Sequence, residues 1–169
     1  MDSATIRTAT AQDARALSDL ALRSKAYWGY DHEFLELCRE DLAVTAAHIA
    51  TRDLGIAVDG ERVLGFFMLG ESGDVLDMLF VEPGAMGRGV GRMLLDEAVR
   101  IARTRGIRAL LIDSDPFAEG FYLAAGARRI GEVASGSIPG RVLPQLELLV
   151  ESSRTAGGPA WGAQRAQLS

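Results

Sequence analysis

VLDMLFVEPGAMGRGVGRMLL, residues 75–95, changes period in its middle. VLDMLFV (75–81) is almost wholly apolar and reads as a buried, central β-strand. Four glycines then fall within positions 84–91. Beyond them Val90, Met93, Leu94, Ala98, Ile101 and Ala102 keep helical spacing, with Asp96, Arg100 and Arg103 on the opposite face. Gly106 ends that helix, and IRALLID (107–113) reads as the next strand. A strand–helix–strand unit of this length predicts a parallel pair joined by a right-handed crossover.

Upstream, LGIAV (54–58), a DGER turn and VLGFFML (63–69) read as a β-hairpin, and SGD turns the chain into 75–81. Three strands joined this way predict an antiparallel meander. A short strand at 5–7 precedes a helix that opens on the Thr10–Asp13 capping pair and buries Leu17, Leu20 and Ala21. A second helix is expected over 33–41, with Phe34, Leu35, Leu37 and Cys38. Downstream come a helix over 116–125, closed by Gly126, and strands near 127–134 and 145–150. The order β α α β β β α β α β β defines a mixed α/β domain over 1–151. Residues 152–169 lack apolar periodicity and are expected to be a flexible tail, or an arm on a partner in a homodimer.

Bulk chemistry narrows the function. With 18 basic and 23 acidic residues, a formal charge of −5 argues against a general nucleic-acid binder. Cys38 is the only cysteine, so no intrachain disulfide forms, and it reads as a small core residue. His32 and His48 stand sixteen positions apart without a neighbouring Cys or His, so no metal site is expected. Neither a signal-like N-terminus nor a membrane-length apolar run is present, so a cytoplasmic protein without membrane contact is expected.

Glycine between a strand and a helix suits an anion. The first N–H groups of a helix have no internal partner, and the helix dipole favours negative charge there. Arg88 and Arg92 add charge-assisted donors. A Walker loop requires Lys-Ser/Thr after its last glycine, which neither Gly89-Val90 nor Gly91-Arg92 supplies. The dinucleotide fingerprint fails by one glycine, meeting Arg92 or Leu94 at its sixth position. Asp113, at the end of the next strand, keeps a nucleotide-binding reading open as an alternative. Asp113-Ser114-Asp115 also matches the Asp-x-Asp of metal-dependent sugar transferases, a tripeptide too short to carry weight.

A third pattern fits. Met86-Gly87-Arg88-Gly89-Val90-Gly91, after Leu-Phe-Val-Glu-Pro, resembles the Gln/Arg-x-x-Gly-x-Gly/Ala acetyl-CoA loop of the GNAT superfamily of N-acetyltransferases. DPFAEGFYLAAGA (115–127) is similar to that family's Asn-x-x-Ala-x-x-Phe-Tyr-x-x-x-Gly-Phe segment, with Ala118, Phe121, Tyr122 and Gly126 in register. Met86 replaces the usual Gln or Arg, Asp115 the usual Asn, and Ala127 the usual Phe. The resemblance spans roughly residues 4–150 and implies acetyl-CoA as cosubstrate, lying in a gap between the meander and the parallel unit. It implies pyrophosphate contacts from the backbone of Met86, Gly87, Arg88, Gly89, Val90, Gly91 and Arg92. Leu79, Phe80 and Val81 would pair with the pantetheine amides, and Asp115 would stand beside the cofactor.

The resemblance also implies roles. Tyr122 takes the place of the acid near the sulphur; as a residue alone it reads equally as a packed core tyrosine. Asp77, the only acid in its strand, is the candidate base, with pairing to an arginine as the alternative. If Leu76 and Met78 share one face, Asp77 and Leu79 share the other. Glu82, at the start of the loop, is a poorer candidate. KAYWGYDH (25–32) offers Tyr27, Trp28, Tyr30 and His32 for an acceptor, or serves only as a lid on the core. Ser135, Ser137 and Arg141 are candidates for the other wall. The expected function is transfer of an acetyl group to a primary amine of a small molecule or peptide. A non-catalytic acyl-CoA sensor of the same fold is the alternative.

Overall fold

The computed structural model describes residues 4–150; the expected tail at 152–169 lies outside them. In chain order the elements are β1 Thr5–Thr8, α1 Ala14–Ala26, α2 His32–Cys38, α3 Ala46–Thr51, β2 Leu54–Asp59, β3 Arg62–Leu69 and β4 Leu76–Val81. They continue with α4 Val90–Thr104, β5 Ala109–Asp113, α5 Glu119–Ala124, β6 Arg128–Ala134 and β7 Val142–Leu149. The expected mixed α/β domain is present, as two sheets rather than one. One sheet runs β1-β2-β3-β4 and the other β5-β7-β6, with every neighbouring pair antiparallel.

The expected parallel pairing of β4 with β5 is confined to a single bridge, Val75↔Leu111, where the Leu111 N–H donates to the Asp74 carbonyl at 2.9 Å. Past it the strands part. The crossover fixes handedness but not the length of pairing, and the twist of each sheet carries the two edges away from their shared point. One backbone edge of β4 therefore has no strand beside it among the described residues.

Two cores sandwich the first sheet. Phe67 and Leu69 pack with Leu94, Leu95 and Ala98 of α4, while Phe66 and Met68 pack with Leu17, Leu20 and Cys38 beneath the N-terminal helices. Burial on both faces explains why β2 and β3 read as apolar runs without alternation. Gly65 lets both β4 and α4 approach: a Cβ there would stand 2.7 Å from the Phe80 carbonyl oxygen and 3.0 Å from Leu94 Cδ1.

Several boundaries differ from expectation. α3 is absent from the expected order: Thr45 is a usual N-cap residue, but its capping-box partner is a histidine rather than Glu or Gln. Thr45 Oγ1 accepts from the His48 N–H at 3.1 Å, and His48 Nδ1 accepts from the Thr45 N–H at 3.2 Å. The Thr10–Asp13 capping box holds, but it starts a 3-10 turn over Ala11–Asp13 before α1 begins. β7 spans Val142–Leu149 and so starts ahead of the expected 145. Pro144 lies beyond the last β5–β7 pair, Asp113↔Gln145, and its carbonyl accepts from the Ser114 N–H at 2.9 Å.

Candidate active site

The parted strands open a cavity of about 950 Å³ whose walls include β4, the glycine turn, the end of β5, α5 and the end of α1. Each glycine of the turn has its own reason. Gly87 and Gly89 sit at φ +77° and +82°, the left-handed region that L side chains avoid. A Cβ at either would meet nothing within 4 Å, so the space before the turn is open. Gly91 has ordinary φ, but its Cβ would stand 3.3 Å from the Phe121 ring, so it sets the contact between α4 and α5. Gly89 caps α4 without any side-chain hydrogen bond, leaving the N–H groups of Val90, Gly91 and Arg92 directed out of the helix start. An anion fits this opening on geometry and on the helix dipole.

Leu79, Phe80, Val81, Met86 and Arg92 line the cavity, as do Gly87, Gly89, Gly91 and Asp115. Val90 packs into the core instead, and Arg88 is exposed outside the lining. Arg92 pairs with Asp96 at 3.3 Å on its own helix.

β4 does not alternate as a plain strand does. Leu69 pairs with Leu76 and Met68 with Met78, so Asp77 is an extra residue at a β-bulge. Leu76 consequently joins the core beneath α4 and Met78 the core on the other face, correcting the expectation that they share a side. The bulge turns the Asp77 carboxylate to the cavity, where Arg52 Nη1, just past α3, donates to it at 2.8 Å. Arg52 was missed in the sequence because nothing links it to a residue 25 positions away.

Tyr122, 6% exposed, lines the same cavity from α5. Its hydroxyl has no hydrogen-bond partner among the described residues, and no fully buried side-chain oxygen there lacks one; the hydroxyl thus faces cavity space. Burial, aided by the charge of Asp115, pushes its pKa well above the ordinary tyrosine value. It stays protonated throughout the neutral range.

Asp115 is the centre of a polar network. It accepts from Lys25 Nζ at 2.9 Å, from the Tyr30 hydroxyl at 3.0 and 3.1 Å, and from the Phe117 N–H at 2.9 Å. Burial pushes this carboxyl up, but the bonds from Lys25, Phe117 and Tyr30, with the Lys25 charge, hold it below the usual range. Burial and the neighbouring Asp115 together raise Tyr30 to about 12, against an opposing pull from Arg141.

Of the aromatic link, Trp28 lines the cavity and stacks on Phe117 at 5.4 Å. Tyr27 packs edge-on against Trp28 and is largely exposed, Tyr30 serves Asp115, and His32 is exposed at the start of α2. None of these three lines the cavity. Ser135, Ser137 and Arg141 also stand behind the wall: Ser137 Oγ donates to Asp41, and Arg141 to Tyr30. No group of three or more metal-ligating side chains stands together among the described residues. No helix there is long and apolar enough to cross a membrane.

Residues 18–136 match the family described as the acetyltransferase (GNAT) domain. The chain belongs to this family. The GNAT match covers both the glycine turn and the Tyr122 segment. The chain is 31% identical over 97 residues to the peptidyl-lysine N-acetyltransferase YjaB of Salmonella typhimurium. That alignment takes in 57% of this chain and 63% of YjaB, less than two thirds of the relative. The structure is similar to a GCN5-related N-acetyltransferase from Rhodopseudomonas palustris, with TM-score 0.75 and 26% identity over 90% of this chain and 97% of that one. The PaiA N-acetyltransferase of Thermoplasma acidophilum, solved with coenzyme A, shares the fold at TM-score 0.71 and 20% identity, over 87% and 99% of the two chains.

Proposed function

We propose that this GNAT protein transfers the acetyl group of acetyl-CoA directly to a primary amine. The observation that carries this reading is one cavity lined at once by an open β4 edge, a left-handed glycine turn before α4, and the Tyr122 side chain. The N–H groups at the start of α4 suit a pyrophosphate, and the free backbone of Leu79, Phe80 and Val81 suits the pantetheine amides as an added strand. Acetyl-CoA, when bound, supplies an activated thioester. The chain supplies the rest of the chemistry. Asp77, turned inward by the bulge, takes the proton lost by the amine, directly or through water. Tyr122 donates a hydrogen bond and then a proton to the departing thiolate, which its retained proton permits. Asp115, saturated by its own partners, shapes the wall beside the cofactor rather than reaching for it.

A thiol-release assay with acetyl-CoA and a panel of amines, amino acids and peptides tests this reading. Acetyl-dependent thiol release with at least one amine is expected. Binding of CoA without turnover on any member would favour the non-catalytic sensor.

A further inference from the structure

Lys25, the only lysine of the chain, lines the cavity beside Asp115. Four segments bring charged and polar groups together there: the end of α1 (Lys25), the α1–α2 link (Tyr30), the β5–α5 loop (Asp115) and the residue before β7 (Arg141). Asp115 is fully used. Its Oδ2 takes Lys25 and Tyr30, and its Oδ1 takes Tyr30 and the Phe117 N–H. Arg141 Nη2 donates to the Tyr30 hydroxyl at 2.6 Å and stands 3.7 Å from Asp115.

The charges do not cancel. Two cations share one carboxylate, and the side chains of Lys25, Arg141 and Asp115 are only 11%, 16% and 16% exposed. Tyr30 and Phe34, stacked at 4.1 Å, present their rings to both cations, at 4.9–5.1 Å from Arg141 and 5.3–5.8 Å from Lys25. Rings attract a cation but carry no counter-charge. An ammonium has three donors, and Lys25 Nζ meets one acceptor among the described residues. Within this cluster the cations outnumber the carboxylate by one, in a setting that favours a counter-ion beside Lys25. Glu40, Asp41 and Asp113 also line the cavity. Asp77, paired with Arg52 at 2.8 Å, stands on the β4 wall of the same cavity and keeps a second carboxylate oxygen for an amine.

We propose that the acceptor is an amine that also carries a carboxylate, an amino-acid-type molecule. Its carboxylate binds Lys25 in the cavity, with Arg141 behind adding the second charge. Its amine faces Asp77. This rests on the acetyl-transfer reading and names the substrate class of that site.

The test compares thiol release for a panel of L-amino acids with that for their carboxamides, which keep the amine and lose the negative charge. For the amino acids turned over, kcat/KM is expected to exceed that of the carboxamide by about tenfold or more, the scale of one hydrogen bond to a charged group. Lys25→Met and, separately, Arg141→Met are expected to shrink that ratio while leaving the KM for acetyl-CoA unchanged. The wild-type ratio needs no variant to fold. Equal or faster turnover of the carboxamides overturns the proposal. So do variants that raise the acetyl-CoA KM with the ratio intact, which would assign the charge to the cosubstrate. Turnover of plain amines alone overturns it and leaves the acetyltransferase reading standing, whereas no turnover of any amine removes both.

Discussion

Asp77 and Arg52 form the ion pair on which the proton-accepting role proposed for Asp77 depends. The pair is partly exposed, 43% and 22% for the two side chains, so it adds little to stability. Its consequence is orientation: Arg52 holds the carboxylate that the bulge turns inward. Asp77→Asn keeps the shape and removes the base, and a fall in kcat of about 10²-fold is expected, with acetyl-CoA binding unchanged. Arg52→Ala is expected to lower kcat by less, since the carboxylate remains but is no longer held. Steady-state kinetics with whichever amine reacts in the panel checks both, and an Asp77→Asn enzyme as fast as wild type would remove Asp77 from the mechanism.

The glycine turn is an element whose parts do different work. Gly89→Ala places a Cβ on a left-handed residue at a cost of about 1–2 kcal/mol, although nothing crowds the new atom. The turn relaxes and the N–H groups of α4 lose their aim, so weaker acetyl-CoA binding by titration calorimetry is expected, with a small drop in melting temperature. Gly91→Ala instead pushes on the Phe121 ring and is expected to disturb the Tyr122 helix more than the anion site.

The entry to α1 carries a pH prediction. Arg7 donates to both Asp13 oxygens at 2.9 Å, and Asp13 also accepts from the Thr10 N–H. The Arg7 bond, opposed by partial burial and helped by Thr10, lowers Asp13 to about 2. A depressed carboxyl stabilises the fold above its unfolded value near 4 and loses that contribution as pH falls toward 2. Asp13→Asn is expected to flatten the decline of melting temperature between about pH 4 and pH 2, relative to wild type. A parallel decline in both proteins would show that the pair does not carry linkage.

Across the whole molecule, the sequence made most elements other than α3, and the glycine turn before α4, legible because their signals are local. Helical spacing after Val90, glycine at Gly87 and Gly89, and apolar runs in β2 and β3 each lie within one segment. The site's cross-chain partners were not legible. Arg52 meets Asp77, Arg141 meets Tyr30, and Lys25 meets Asp115 only after the N-terminal helices fold over the gap between the sheets. The bulge at Asp77 was hidden for a related reason, since an inserted residue shows only against the partner strand. Likewise, the parting of β4 from β5 leaves no mark in either strand, yet it makes the cavity.

The central claim is that this cavity holds acetyl-CoA for transfer and that Tyr122 supplies the proton. The most direct measurement is acetyl-dependent thiol release by wild type and Tyr122→Phe, with acetyl-CoA affinity of both proteins measured by titration calorimetry. The account predicts similar affinity and a fall in kcat of about 10²-fold or more for the variant. Equal turnover by the two proteins at matched acetyl-CoA occupancy would contradict it.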